Sequence, residues 1–446
     1  MTKQRPILIS RPRIGGHAGA LGKAHYSYAF AADKFVDMFA NRHVPVRTID
    51  APEQFKSPAY AELAGLDGGE HLHLIFRSTE DIRTIPGAYN VACFAWEFEA
   101  LKQEGLPEES ILKDQVRMLK SCQEVWTPCT YTKTVLADHG IDNAHVIPAP
   151  IATPEGRRGD AATNFADLAA RESVPLVSRS SGVEEVYEKL ARRHAAPLGQ
   201  NAKLRRAIET RQLFLTICNP YDKRKNLATM IEGFLLATEG NDDAVLLIKL
   251  VTSGQFEMPS GYLFHQLRVI FGNPHCLHED RIVLFSGFLS DAEMSALYRS
   301  ADFYVCTSIA EGQNLPLLEA MVHGCVPVTV RNTAMADYVT SDNAVIIEDR
   351  RFSGLQSGLA GHVAQTRLTI DFADRYAVAD AIDRSMALTA DQRATKADAA
   401  AQTVRQLFSP RQVFKRLTER LEAVRSNLVP KAAEPMWLRL LGRKLG

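Results

Sequence analysis

The stretch Ser308–Val328 reads SIAEGQNLPLLEAMVHGCVPV, and the rest of the chain takes its frame from it. The apolar run just before, DFYVCTS (Asp302–Ser308), has the length and composition of a buried strand. Pro316 marks the first turn of a helix over 315–323, where its missing N–H has no intrahelical partner to lose. CVPVTV (Cys325–Val330) then supplies another strand. Strand, turn, helix and strand in this order make one unit of a parallel α/β sheet, whose ligands are expected beyond the carboxyl ends of the strands. The amides around Gln313–Leu318 point at such a cleft, and with the helix dipole they form a site for a phosphate. Glu311 and Glu319 flank it. Carboxylates are poor partners for phosphate but good acceptors for the hydroxyls of an attached sugar or ribose.

Working outward, the same alternation fills two long regions. The first holds strand candidates PILIS (Pro6–Ser10), VPVRTI (Val44–Ile49), HLHLIF (His71–Phe76), NVACFAW (Asn90–Trp96), EVWTP (Glu124–Pro128) and AHVIPAP (Ala144–Pro150). Helical spacing runs from near Gly19, over 108–120 and over 131–139. The second holds LFLTIC (Leu213–Cys218), DAVLLIKLV (Asp243–Val251), RIVLFSG (Arg281–Gly287) and AVIIE (Ala344–Glu348) beside the two strands above. Its helices are expected over 226–237, 261–272, 291–300 and 315–323. Residues 151–205 are polar and Ala/Arg-rich, and read as a linker with surface helices outside either core. The segments Phe372–Leu407 and Ser409–Leu428 read as helical. The fold class predicted is α/β, with two Rossmann-like domains facing a central cleft: 1–205, 206–408, and a C-terminal helix and tail over 409–446.

Composition narrows the function classes. The 446 residues carry 52 Lys plus Arg against 52 Asp plus Glu, so no net basic field draws the chain to nucleic acid. Hydrophobic residues at 46% with 23% charged describe a chain able to bury a large core, not a disordered one. No run of 18 apolar residues reads as a membrane span, and MTKQRPILISRPRIGG lacks the apolar centre of a secretory signal. The seven cysteines are scattered and odd in number, the usage of buried reduced thiols. A cytoplasmic protein is expected.

Glu311 and Glu319, with seven residues between them and followed by AMVHGCVPV, resemble the E-x7-E motif of retaining glycosyltransferases of the GT-B fold, especially family 4. The match takes in Glu311, Gly312, Leu315, Pro316, Leu318, Glu319, Ala320, Gly324, Pro327 and Val328. Gln313-Asn314 replaces the usual Phe-Gly pair, and asparagine tolerates a left-handed backbone there. The resemblance implies that Glu319 holds the donor ribose and Glu311 the sugar hydroxyls, with Gln313, Asn314 and Leu315 beside the donor. In CNPYDKRKNLATMIEGF (Cys218–Phe234), Lys223, Arg224 and Lys225 crowd one turn and can neutralise a diphosphate. Lys225 aligns with the family's lysine. The family's arginine is replaced by Asn219-Pro220, leaving Arg224 or Lys223 to substitute. In IVLFSGFLSDAEMSALYRSADFYVCTS (Ile282–Ser308), similar to a third family run, main-chain groups around Gly287, Phe288 and Leu289 would meet the nucleobase, with Leu297 and Tyr298 facing the core. Lys249 either reaches the donor or lies in solvent.

In the first region, PRIGGH (Pro12–His17) follows a strand, and paired glycines let backbone approach a ligand closely. The family often has a similar loop near the diphosphate, which brings in Gly16 beside the donor and His17 on the acceptor side. NVACFAWEFEAL resembles the W-x-W-E region of a family 4 subset, placing Trp96 and Glu97 on the acceptor side. His71 and His73 share a strand face without a third ligand at metal spacing. No Asp-x-Asp occurs, so no metal or other cofactor is expected. The implied reaction moves a sugar from a nucleotide sugar to a glycan or lipid-linked acceptor, in surface polysaccharide or glycolipid assembly. The alternatives are a non-catalytic nucleotide-sugar-binding protein and a nucleotide-sugar epimerase. In the tail 429–446, Lys431, Arg439, Arg443 and Lys444 stand among Met436, Trp437 and four leucines. Such a tail fits peripheral membrane contact or packing on the protein itself.

Overall fold

The computed structural model describes residues 6–12, 24–55, 71–101, 114–154, 161–166, 168–170, 197–220, 222–251, 281–286, 288–355 and 367–428. Gly16, His17, Gly287, the helix expected over 261–272 and the tail 429–446 lie outside these residues.

The first lobe is built on a parallel sheet of six strands: β1 (Ile7–Ser10), β2 (Val46–Ile49), β3 (Leu72–Ile75), β4 (Tyr89–Cys93), β5 (Glu124–Thr127) and β6 (Ala144–Val146). They run in the order β2-β1-β3-β4-β5-β6. Helix α1 (Ala24–Ala40) joins β1 to β2, α2 (Gln115–Lys120) precedes β5, and α3 (Thr130–Asp138) joins β5 to β6. Ala32, Phe35, Met38 and Phe39 lie along one buried side of α1 and close over Ile7, Ile9, Leu72 and Leu74.

The second lobe repeats the plan with different residues. Its sheet contains β7 (Leu213–Cys218), β8 (Val245–Leu250), β9 (Ile282–Ser286), β10 (Phe303–Cys306), β11 (Val326–Thr329) and β12 (Val345–Ile346), in the order β12-β11-β10-β7-β8-β9. Every residue of β7 and β8 is buried, as expected for parallel strands covered on both faces. Helix α4 (Ala161–Ala166) and helix α5 (Ala202–Glu209) precede the sheet; α6 (Leu227–Ala237), α7 (Asp291–Ser300) and α8 (Leu315–Val322) follow β7, precede β10 and follow β10 respectively. A capping box between Ser290 and Glu293 starts α7. An antiparallel ribbon of β13 (Arg350–Leu355) and β14 (Arg367–Phe372) stands apart from the main sheet. Helices α9 (Arg375–Met386), α10 (Ala390–Leu407) and α11 (Pro410–Leu428) complete the described chain.

Two expectations change here. Residues 151–205 are not wholly outside the cores: Ile151, Phe165, Leu168, Leu198 and Leu204 are buried in the second lobe's core. These few apolar residues are spread through polar sequence, so composition alone conceals their burial. Phe372, expected to begin a helix, instead ends β14, whose pairing with β13 has no counterpart in the helical spacing that follows it.

The chain passes between lobes twice. It leaves the first lobe near Ala149 and returns at Phe408, and the two passages touch: the Ile151 N–H donates to the Phe408 carbonyl at 2.8 Å. Beyond the return, α11 lies on the first lobe. Val413, Phe414, Leu417 and Leu421 join the core of β1, β3 and α1. Arg420 of α11 grips Glu124 of β5, with Nη2 at 2.7 Å from Oε1 and Nε at 3.1 Å from Oε2. The Tyr89 hydroxyl and the Trp126 N–H also donate to that carboxylate, at 2.6 and 2.8 Å. Among the described residues no helix is long and apolar enough to cross a membrane.

Candidate active site

Strand order locates the cleft before any side chain is considered. In the second sheet the order reverses between β7 and β10, and crevices open at such reversals beyond the carboxyl ends of the strands. Lys225 follows β7 and Glu311 follows β10. Asp222 caps the 3-10 turn Lys223–Lys225 by accepting from the Arg224 N–H, and Asn226 turns the chain into α6 with φ 51°. Thr307 donates to the carbonyls of Lys225 and Asn226 at 3.0 and 3.2 Å, and the Ile309 N–H donates to Arg224 O at 2.8 Å. The cationic turn is thereby tied to the end of β10. Glu311 is fixed from another side: its N–H donates to Thr333 Oγ1 at 2.9 Å. Thr333 holds φ 43°, a left-handed conformation that a β-branched residue adopts only when its surroundings impose it.

Lys225 Nζ lies 2.5 Å from Glu311 Oε1. Burial pulls the lysine's pKa down, but Glu311 outweighs burial and leaves it above the ordinary value. Arg224 is held from two lobes. Its Nη2 lies 2.8 Å from Asp222, and its Nη1 lies 2.6 Å from Glu97 Oε1 of the first lobe. The latter is an ion pair without hydrogen-bond alignment, since Nη1 makes no directed bond. Burial opposes the charge of Arg224, yet Glu97, Asp222 and Glu311 raise its pKa; burial likewise opposes the Asp222 charge, which Arg224 more than restores. Lys223 is exposed.

Glu319, in α8, is bridged to the first lobe. Lys34 Nζ of α1 donates to Oε1 at 2.8 Å, and the Tyr298 hydroxyl donates to Oε2 at 3.1 Å. Tyr298 is buried as expected, with its hydroxyl directed to this acid. Glu319 therefore bridges the lobes, whereas Glu311 is held by partners of its own lobe. Each is paired with a lysine.

The other expected donor residues divide. Asn314 takes the left-handed turn at φ 63° and caps α8, its amide donating to Cys306 Sγ and Met335 Sδ at 3.2 and 3.3 Å. Gln313 directs both polar atoms at Ala149, accepting from its N–H at 2.9 Å and donating to its carbonyl at 2.8 Å. Neither side chain is turned to a donor. Of the amides expected over 313–318, Pro316 has none, that of Leu317 donates to Asn314 Oδ1 and that of Leu318 to Asn314 O. The N–H groups of Gln313, Asn314 and Leu315 remain without partners among the described residues. Leu315 packs against the cores of both lobes. Phe288 is exposed ahead of α7.

On the first lobe, the Trp96 indole donates to Ala100 O at 3.0 Å and stacks on Phe94. Trp96 thus braces its loop, while Glu97 reaches the second lobe. The lobes are close here: a Cβ on Gly312 would lie 3.2 Å from Ala95 Cβ and 3.6 Å from Glu97 Oε1. A side chain there would press on Ala95 by a few tenths of an ångström, so glycine suits this approach. Lys249 is not a solvated strand end; it is 3% exposed, and burial lowers its pKa to about 8. His73 bonds Ser10 and Asn90 at 2.6 and 2.8 Å, a structural role. Among the described residues no group of three or more metal-ligating side chains is assembled.

Sequence reasoning passed over Lys34, Asp222 and Thr333. Asp222 stands directly before three cations, the pattern of an Asx cap. Lys34 continues a four-residue spacing through Tyr26 and Phe30 that marks one face of α1. Thr333 leaves no local signal, because its pairing with Glu311 spans the following strand.

Residues 211–360, about a third of the chain, match the family described as glycosyl transferases group 1. None of the curated proteins matches the chain. Among solved structures, the alpha,alpha-trehalose-phosphate synthase (UDP-forming) from Burkholderia xenovorans is 12% identical with a TM-score of 0.55, covering 94% of this chain and 100% of that one. TarM of S. aureus is 11% identical with a TM-score of 0.49, covering 81% of this chain and 57% of that one. The pneumococcal O-GlcNAc transferase GtfA is 13% identical with a TM-score of 0.49, covering 83% and 60%. The chain thus spans less than two thirds of these last two. The synthase shares the architecture, two facing Rossmann-like lobes of the GT-B kind.

Proposed function

We propose that the protein is a retaining glycosyltransferase of family 4 character, moving a sugar from a nucleoside-diphosphate sugar to an acceptor hydroxyl without a metal. The observation that carries this reading is the contact of Lys225 with Glu311 at the strand-order reversal, inside the region that matches a glycosyltransferase family. In the transfer, the anomeric carbon gains positive character while the diphosphate gains negative charge. Lys225, Arg224 and the N–H groups of Gln313, Asn314 and Leu315 offer positive ends at one place, fixed before the reaction begins. Glu311 then turns from Lys225 to the sugar hydroxyls, and Glu319 accepts from the ribose. Glu97 lies across from them on the first lobe, where a glycan or lipid-linked acceptor would arrive. Closure of the lobes keeps water from taking the sugar. We place this activity on the cytoplasmic side, in surface polysaccharide or glycolipid assembly, with peripheral membrane contact through the tail 429–446.

One observation favours a second reading, a protein that binds nucleotide sugar without turnover: Arg224 already has carboxylates on two sides. Incubation with a panel of UDP- and GDP-sugars and glycan acceptors, followed by mass spectrometry of released nucleoside diphosphate and product, separates the two. Product with retained anomeric configuration supports transfer. Binding with no turnover across the panel supports the second reading.

A further inference from the structure

Helix α1 presents Tyr26, Phe30 and Lys34 to the second lobe, one turn apart along a single face. The rings of Tyr26 and Phe30 are stacked at 5.9 Å, and Lys34 Nζ lies 4.5 Å from the Phe30 centroid while donating to Glu319. Burial, with Glu319 and Asp291 beyond it, raises the Tyr26 pKa to about 12, so this face and Glu319 share one environment. The cations at the cleft are Arg224, Lys225 and Lys34; the acids touching them are Asp222, Glu97, Glu311 and Glu319. Among the described residues, each of these three side-chain cations is already matched by an acid.

A ligand whose hydroxyls occupy Glu319 changes that balance, because a carboxylate oxygen taken by a hydroxyl no longer holds the ammonium. The released lysine then stands beside the ribose, next to the first phosphate, on a flexible stem with three donors. We propose that Lys34 is the first lobe's cation for the donor diphosphate, kept on Glu319 until the ribose takes that carboxylate. It would join Arg224 and Lys225, so that both lobes contribute charge to the leaving group and donor binding draws them together. This rests on the reading of Glu319 as the ribose acid.

The test measures binding of UDP, GDP, inorganic pyrophosphate and the free nucleosides to the full chain by calorimetry and NMR titration. Lys34→Met should weaken UDP or GDP by about tenfold, the loss of one charge-assisted contact, and leave the nucleoside no weaker, since Glu319 is then open to the ribose. Lys34→Arg should retain most of the affinity. Glu319→Gln, which frees Lys34 without removing it, should tighten pyrophosphate, and adding Lys34→Met should cancel that gain. Equal diphosphate affinity in wild type and Lys34→Met, or an equal loss for nucleoside and diphosphate, overturns the proposal and leaves the glycosyltransferase reading standing. Wild type that binds no nucleoside diphosphate overturns both. Melting curves exclude misfolding of Lys34→Met; if it does not fold, the pyrophosphate response of Glu319→Gln decides alone, and no tightening sinks the proposal.

Discussion

Gln313 joins Ala149 as one strand joins another: Oε1 accepts the alanine N–H at 2.9 Å and Nε2 donates to the alanine carbonyl at 2.8 Å. A side chain thereby closes a two-bond ladder between the donor loop and the first passage between lobes. The site is buried, so Gln313→Ala strands an N–H and a carbonyl. The expected cost is about 1–3 kcal/mol in urea unfolding. An unchanged midpoint would show that the bonds do not persist in solution.

Lys225 and Glu311 act on adjoining parts of the donor in the proposed reaction, the diphosphate and the sugar. Lys225→Met should lower kcat by about 100-fold or more, since it removes a preorganised charge from the leaving group. Glu311→Gln should depress turnover while leaving nucleoside diphosphate affinity within a few-fold of wild type. A Glu311→Gln enzyme with unaltered kcat would remove Glu311 from the sugar.

The Arg420–Glu124 pair tests what holds α11 down. Glu124 is almost fully buried, and Arg420→Ala leaves its charge with only neutral donors from Tyr89 and Trp126. A destabilisation of about 2–4 kcal/mol is expected, discounted from the fully buried case because Arg420 keeps part of its surface in water. Glu124→Gln in the same chain should recover much of the loss. If the double variant is no better than Arg420→Ala alone, the uncompensated charge is not the cause.

Lys249 gives a pH signature. Its folded pKa, lowered by burial to about 8, lies below the unfolded value of roughly 10.4. Between these values the unfolded chain holds one more proton than the folded chain, so this residue makes stability rise with pH across that window. Below it, the cost of burying the ammonium is fully present. Lys249→Met should raise stability at pH 7 by about 1–3 kcal/mol, with the advantage shrinking as pH climbs towards 10. An advantage that stays constant from pH 7 to 10 would place the lysine in contact with water.

Much of the architecture can be read from the chain because many strands of these sheets are short apolar runs with a helix after them, as in Leu213–Cys218 followed by Leu227–Ala237. Glu311, Glu319 and Lys225 were legible for a related reason: each sits at a fixed offset from a strand end or helix start. What was hidden depends on distance along the chain. The partners Lys34 and Glu319 are 285 residues apart, and nothing in either segment names the other. Gln313 reads as a donor residue because it lies inside the motif between Glu311 and Glu319; only the coordinates of Ala149 show where its amide goes. The ribbon of β13 and β14 escaped because Arg350, Arg351, Ser353, Gly354, Arg367 and Thr369 do not form an apolar run.

The touching of Ile151 and Phe408 has a mechanical result. Two chain passages fastened side by side would serve as the knuckles of one hinge pin in any turning of the lobes, favouring rotation over sliding. Gln313, bonded two residues from that pin, stays engaged while the cleft opens, whereas the Arg224–Glu97 and Lys34–Glu319 ion pairs must part. Salt screens those two ion pairs but not the packing of Phe98 on Ile309, Ala310 and Ile370 across the same gap, so rising ionic strength should loosen the closed arrangement only in part.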